Sequence, residues 1–419
     1  MGTGVLGLDP ALLTAIARRV GTPAYVYGAN LIRAQFHALE DALRSAGVRH
    51  RICYAIKANG SLAVLRVLRQ LGAGADIVSV GELERARRAG FDPATIVFSG
   101  VGKTAEELDA AIALGVGQIN VESPSELDAV IAAVGRGGVP ATVGIRVNPD
   151  VQTNTHPYTK TGDKTAKFGV PFDEVVRVAE RIGADRRLTL KGLAMHIGSQ
   201  ITEVEPYRRG TLKLLELVAA IRAAGITTIE SVDVGGGLGV RYHDEKVPSL
   251  KEWVDAVAPP VRTAGLTLHC EPGRFLVANA GLLLTRVLYR KHAGGKDYVI
   301  VDAGMTDFVR PSHYNAYHEI IPLSDGGRGE HSVNVVGPIC ESGDFLALDR
   351  KLPPVSSGDY LAVLGTGAYG FVMSSTYNAR PRPPEVMVEG EKFYVARERE
   401  TVEDLFRGEA LEPAAWYHA

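Results

Sequence analysis

Residues 52–79, ICYAIKANGSLAVLRVLRQLGAGADIVS, hold the unit from which most of the chain is built. Ile52–Ile56 is a short apolar run, Leu62–Leu71 has helical spacing, and Ala75–Ser79 is apolar again. Outward from this stretch the alternation continues. Thr95–Ser99, Gln118–Val121, Ala141–Val147, Leu190–Ile197, Ile229–Val234 and Leu266–Cys270 read as further strands. Gly81–Ala89, Ala105–Leu114, Pro124–Val134, Phe172–Ile182, Tyr207–Ala223 and Lys251–Arg262 read as the helices between them. Strands that alternate with helices pair in parallel, because parallel neighbours need a crossover. Eight such units suit a closed (β/α)8 barrel, with an open doubly wound sheet as the alternative that the pattern leaves open. A further helix, Leu31–Ala46, precedes the first strand and is placed to cover the seam left by a missing last helix.

After Glu271 the texture changes. Val299–Asp302, Ser332–Val336, Tyr360–Val363, Glu385–Val388 and Phe393–Ala396 are short, β-rich and separated by Gly and Pro. The fold expected is therefore α/β plus all-β: a TIM-type barrel over 28–271 and a C-terminal β domain over 272–419. An N-terminal segment, 1–27, is expected to pack on the β domain. Within it Asp9-Pro10, followed by Leu12, Leu13, Ile16 and Val20, reads as a capped amphipathic helix. Asn148–Gly169 is long, polar and without periodicity, which marks a functional or mobile loop.

The 419 residues are too many for one ordinary core, and the 46% hydrophobic content suffices for two. A net charge of −2 removes the main argument for a nucleic-acid partner. Cys53, Cys270 and Cys340 are few, odd in number and far apart, so no disulfide framework is suggested. No run is long and apolar enough to span a membrane. Gly2 begins a myristoylation-like start, but Leu6 stands where Ser or Thr is wanted. A soluble, cytoplasmic protein is expected.

Two glycine motifs resemble nucleotide signatures and fail on spacing. Gly102-Lys103-Thr104 has the strand-to-helix context of a P-loop, but Val97 stands where the motif needs its first Gly. Gly235-Gly236-Gly237-Leu238-Gly239 has Val240 where a dinucleotide fingerprint needs Gly. The first reads as a turn and helix start. The second is either a tight structural turn or a backbone cradle for a phosphate.

Chemistry-bearing residues gather at the ends of the predicted strands, where barrel sites lie. Lys57 ends the first, His196 the sixth, the glycine run the seventh and Glu271-Pro272-Gly273-Arg274 the eighth. Each alone has a structural reading: a snorkelling lysine, a satisfied histidine, a turn. Together they form a set with one use. A lysine can hold an aldehyde, glycine amides a phosphate, a carboxylate a ring nitrogen, and an imidazole can stack on a flat ring. Pyridoxal phosphate needs this set. No metal site is expected.

Tyr54–Asn59, His196–Gln200, Gly235–Gly239 and Glu271–Arg274 resemble the signatures of the fold-type III pyridoxal-phosphate decarboxylases, which have an alanine-racemase-like barrel and a C-terminal β domain. Later motifs are similar to the diaminopimelate decarboxylase branch: Cys340-Glu341-Ser342-Gly343-Asp344, Arg310-Pro311 with Tyr314, and Ala316-Tyr317-His318. So are Thr155-His156 with Thr161-Gly162, Lys167-Phe168-Gly169, Gly367-Ala368-Tyr369-Gly370 and Tyr377–Pro383. The resemblance runs from about Thr22 to about Gly390. Val80 and His313 depart from the family's usual residues.

The resemblance implies decarboxylation of meso-2,6-diaminopimelate to L-lysine and CO2, the last step of lysine biosynthesis. Lys57 would hold the cofactor's aldehyde, Glu271 would face its ring nitrogen and His196 would stack on the ring. Asp76 and Glu82 fall near the cofactor. Ser199, Gly236, Gly237, Gly273, Arg274 and Tyr369 would line the cofactor site. Arg274, Arg310 and Tyr314 would select the distal carboxylate, which an arginine fork matches, and Tyr369 would also bind the substrate. Glu341 would accept the distal ammonium. Cys340 would supply a proton to Cα, reaching with Glu341 into the site of a neighbouring subunit, which implies a homodimer. The rival expectations are a relative acting on ornithine, arginine, carboxynorspermidine or a secondary-metabolism substrate, an alanine racemase, and a non-catalytic regulator of the same fold.

Overall fold

The computed structural model describes residues 7–156, 158, 161–162, 166–324 and 329–412. Gly2 and Leu6 lie outside the described residues. The chain forms two compact units. One comprises Gly28–Gly281 with Gly367–Val372; the other comprises Met1–Tyr27, Leu282–Thr366 and Met373–Ala419.

The first unit is a closed barrel. Its strands are β1 (His50–Ala55), β2 (Gly74–Ile77), β3 (Ile96–Phe98), β4 (Gln118–Val121), β5 (Ala141–Asn148), β6 (Leu188–Ala194), β7 (Ser231–Asp233) and β8 (Thr267–Cys270). All neighbours pair in parallel in chain order. β8 returns to β1 with Leu268 opposite His50, so the ring has no free edge and the open-sheet alternative falls. Four of these strands, β2, β3, β4 and β7, are buried along their whole length, as strands covered on both faces are.

Only a four-residue helix, Arg274–Val277, follows β8. The eighth outer place is taken by Ala29–Ser45, which packs beside the helices Leu62–Gln70 and Leu250–Thr263. It buries Ala29, Ile32, Phe36, Leu39 and Leu43, a three-and-four spacing that gives one apolar stripe. The expected boundary at 271/272 differs from the observed one by about ten residues. The short helix at Arg274–Val277 and the turn Ala278–Ala280 pack on Ala29–Ser45 and so stay with the barrel. Gly367–Val372 also returns to it: the Asn59 amide donates to Gly367 O at 2.9 Å and Tyr369 N to Ala58 O at 2.8 Å.

The second unit is a nine-stranded mixed sheet. Its strands include the five expected ones together with Ala24–Gly28, Gly281–Ala293, Ile320–Pro322 and Phe345–Leu352. Gly281–Ala293 lacks alternation: it is buried at its start and exposed at its end, so no period of two marks it. The unit is not purely β. Pro10–Val20, capped by Asp9 accepting from Ala11 N at 2.9 Å, buries Leu13, Ile16 and Ala17 against Val26, Leu282, Leu284, Ala362, Val386 and Val388. Among the described residues no helix is long and apolar enough to cross a membrane.

The P-loop-like segment has a structural occupation. Thr104 caps the helix Ala105–Leu114 in a reciprocal pair with Glu107. The Lys103 ammonium, almost wholly buried, donates to Gly100 O and Asn120 O at 2.8 Å and to Glu126 at 2.6 Å, joining the loops after β3 and β4. Replacing it with Met leaves two carbonyls and a carboxylate without their donor. Lys103→Met should therefore cost about 3 kcal/mol of stability, read as a fall in the urea midpoint.

Candidate active site

The C-terminal ends of the barrel strands open on a cavity of about 410 Å³. Lys57, Ser99, Asn120, Arg146, Phe168, His196 and Glu271 are among its lining residues. Lys57 sits in a single tight turn, Ile56–Ala58, immediately after β1. Its Nζ lies 2.7 Å from Asp76 Oδ2, and Asp76 is wholly buried at the end of β2. Burial disfavours the Lys57 ammonium, but the carboxylates of Asp76 and then Glu271 outweigh it and raise the pKa.

Glu271 follows β8 and is buried. Burial first, then Asp233 and Asp76, push its carboxyl well above the usual range, against the opposing pull of Lys57 and Arg146. Its Oε1 has no hydrogen-bond partner, and neither has Oδ1 of Asp76. Asp233 ends β7, accepts from Gly235 N at 2.7 Å and is buried beside Glu271. Burial raises its pKa to about 7, with Asp76 adding to the rise and the Gly235 bond opposing it. The structure thus gathers three buried carboxyl groups around one ammonium. An uncompensated group of this kind calls for a further cation or proton donor.

His196 follows β6. Its Nδ1 accepts from Gly236 N at 3.2 Å, so the neutral ring carries its proton on Nε2. Burial, reinforced by Lys57 and Arg146, holds its pKa well below the ordinary value, and it remains neutral. The glycine run is compelled by close approach. A Cβ on Gly235, Gly236 or Gly237 would stand 2.3, 2.2 or 2.1 Å from the carbonyl oxygens of Met195, Glu271 and Gly198. Gly235 and Gly237 also have φ of +71° and +90°. Next to this turn, Arg274 donates to Ser199 Oγ at 2.9 Å and Tyr242 Oη at 2.8 Å, with its guanidinium 4.8 Å from the Tyr369 ring centre. Ser199, Arg274 and Tyr369 therefore form one cluster. Gly273 is where a Cβ would fall 2.8 Å from that of Ala58.

Several lining residues were not singled out from the sequence. Arg146, near the end of β5, pairs with Glu122 at 2.9 Å and lies 4.7 Å from the Phe168 ring centre. Asn120 and Ser99 are hydrogen-bonded to each other at 3.1 Å. The strand-end argument that selected Lys57 applies equally to Arg146 and Asp233. Parts of the 148–169 segment are fixed to the same rim: Thr161 Oγ1 donates to His196 O at 2.6 Å and Thr153 Oγ1 to Ile197 O at 3.3 Å. The Glu82 carboxylate accepts from Val78 N at 2.8 Å, and burial raises its pKa to about 7.

The remaining expected residues belong to the second unit. Arg310 and Tyr314 are the ends of one short helix, with the Arg310 guanidinium 5.8 Å from the Tyr314 ring centre. Cys340 is an exposed free thiol and Glu341 is exposed beside it. Their loop is held from within. Asp344, buried, accepts from Ile339 N and Met305 N at 2.6 Å, and Asn378 Oδ1 accepts from Cys340 N at 2.9 Å.

Comparison with known proteins identifies this architecture. Residues 29–278 match the model of the pyridoxal-dependent decarboxylase family, pyridoxal binding domain. The chain belongs to the pyridoxal-dependent decarboxylases. It is 49% identical over 401 residues to the diaminopimelate decarboxylase of Pseudomonas aeruginosa, covering 96% of each chain. It is 44% identical over 411 residues to that of Vibrio cholerae, covering 98% of each. The crystal structure of diaminopimelate decarboxylase from Helicobacter pylori complexed with L-lysine superposes with a TM-score of 0.91 at 40% identity, over 94% of this chain and 98% of that one. The resemblance to the diaminopimelate branch, the barrel with its separate β-rich unit, and the cofactor expectation all stand.

The residues present fit pyridoxal phosphate. The unpartnered Glu271 oxygen suits a protonated ring nitrogen, and the glycine turn admits a group that no side chain could share space with. The cofactor supplies, when bound, an aldehyde for an amine and a ring that accepts the electron pair left by CO2. Removing it should expose the buried acids to linkage. Asp233 is then protonated in the folded chain up to about pH 7, whereas in the unfolded chain it releases its proton near pH 4. Because the folded state binds more protons across that window, stability falls as pH rises through it. The urea midpoint of the stripped protein should be lower at pH 8 than at pH 6, and Asp233→Asn should flatten that slope.

Proposed function

We propose that this chain decarboxylates meso-2,6-diaminopimelate to L-lysine and CO2. The observation that carries the reading is the convergence of Lys57, Asp76, His196, Glu271 and the glycine turn on one barrel rim, in a chain 49% identical to a diaminopimelate decarboxylase. Lys57 is the cofactor's amine, and Asp76, 2.7 Å away, takes the proton that its Nζ must lose to bond an aldehyde. Glu271 keeps the ring nitrogen protonated by its negative charge. Neutral His196 faces the ring without adding a charge that would oppose it. Ser199, Gly236, Gly237, Gly273, Arg274 and Tyr369 hold the phosphate end.

Arg274, Arg310 and Tyr314 select the distal carboxylate, with Tyr369 and Glu341 completing the substrate site. Cys340 donates the proton to Cα. It is exposed on a loop whose backbone is fixed by Asp344 and Asn378, the arrangement expected of a thiol presented to a second copy of the chain. The enzyme is accordingly a homodimer with shared sites, working in the cytoplasm.

Purified protein with added pyridoxal phosphate should release lysine and CO2 from meso-diaminopimelate and leave L-ornithine, L-arginine and carboxynorspermidine untouched. Turnover of one of those instead would move the assignment to that substrate. Arg310→Ala should lower kcat/KM for diaminopimelate by roughly tenfold to a hundredfold, the worth of a charged hydrogen bond. Glu271→Gln should still bind the cofactor, seen in its visible absorbance, and turn over slowly.

A further inference from the structure

Arg310 is held by a histidine that no role yet assigned explains. The imidazole of His318 is wholly buried and both its nitrogens are engaged. Nε2 accepts from Arg310 Nε at 3.2 Å. Nδ1 lies 2.8 Å from Leu364 O, an oxygen that can only accept, so Nδ1 carries the ring proton. This fixes the tautomer: the neutral ring with its proton on Nδ1 presents a lone pair to the guanidinium. The ring cannot drift. It meets Phe308 edge-on at 4.6 Å, and its own carbonyl accepts from Arg350 Nη1 at 2.7 Å while the Arg350 guanidinium lies 3.9 Å from the Tyr317 ring centre.

A neutral acceptor orients an arginine without cancelling its charge. A carboxylate in the same place would hold the fork as firmly and would also neutralise the cation that a ligand carboxylate must find. We propose that His318 is a positioning residue for Arg310, setting the direction of its guanidinium and hence the affinity for the distal carboxylate of the substrate. The proposal rests on the reading of Arg310 as a substrate-binding residue.

Two substitutions separate the contacts of the ring. In His318→Gln the side-chain oxygen can replace Nε2 toward Arg310. In His318→Asn the amide can still donate to Leu364 O, but it is too short to reach Arg310. Steady-state kinetics of the holoenzyme on meso-diaminopimelate should give KM raised about tenfold in His318→Asn with kcat within about twofold. His318→Gln should recover most of that loss. A merely structural role predicts instead a lowered melting temperature in both variants with KM unmoved. Arg310→Ala serves as the reference. If it raises KM while His318→Asn and His318→Gln both match the parent, the positioning role is overturned. If Arg310→Ala itself leaves KM unchanged, it is the reading of Arg310 that fails, and the proposal falls with it.

Discussion

One ammonium stands against three buried carboxyl groups, and the barrel's active end is arranged around that imbalance. Lys57 touches Asp76 directly, while Asp233 and Glu271 share the same low-dielectric space, where burial raises the pKa of both and Asp233 raises that of Glu271 further. Arg146 does not close the gap, because it is already paired with Glu122. A site left this way is costly for the empty fold and selective for what enters it. It suits a group that carries positive charge at one edge, with the electrophilic carbon proposed for Lys57 at another. Buried, incompletely matched acids of this kind mark functional sites because packing alone would not retain them.

The neighbouring elements convert that electrostatic demand into a shape. β7 ends in Asp233, and two residues later the chain turns through glycines so tightly that their missing side chains lie against three carbonyl oxygens. The turn places Gly236 N on His196 Nδ1. The same glycine, proposed to admit the phosphate end, thus sets the tautomer of the histidine proposed to face the ring. In the second unit a similar arrangement surrounds Cys340: the thiol is exposed, but Asp344 and Asn378 hydrogen-bond the backbone around it. A loop that served only as a connection would not need so many fixed points.

Much of this was legible in the sequence, for identifiable reasons. Parallel barrel strands are buried on both faces, so Ile96–Phe98 and its fellows appear as short, largely apolar runs between helical stretches, and counting them gives eight. Strand-end position then selects Lys57, His196 and Glu271. What escaped were the features that depend on long-range contacts. Gly281–Ala293 is one strand with a buried half and an exposed half, and no local period describes it. Residues 272–281 and 367–372 join the barrel through packing on Ala29–Ser45 and bonds to Ala58 and Asn59, partners that sequence distance conceals. Asp233 reads as an ordinary strand-end acid until Glu271, some forty residues on, is seen beside it.

The glycine-rich decoys show why spacing must be followed by an inventory of donors. Lys103 sits in the context of a phosphate-binding loop, yet its three donor hydrogens are directed to two carbonyls and a carboxylate; an ammonium so used has nothing to offer an anion. Arg310 is the converse case. Its contact with His318 uses one edge of the fork and a neutral acceptor, so direction is fixed while the charge is preserved. On the proposed reading of Arg310, discrimination between a distal carboxylate and a distal ammonium depends on that charge. An ammonium brought to the same place would meet a cation rather than an acceptor, and like-charge repulsion would add to the loss of the hydrogen bond. The selectivity expected of this chain therefore lies as much in the direction that His318 gives the guanidinium as in the arginine itself.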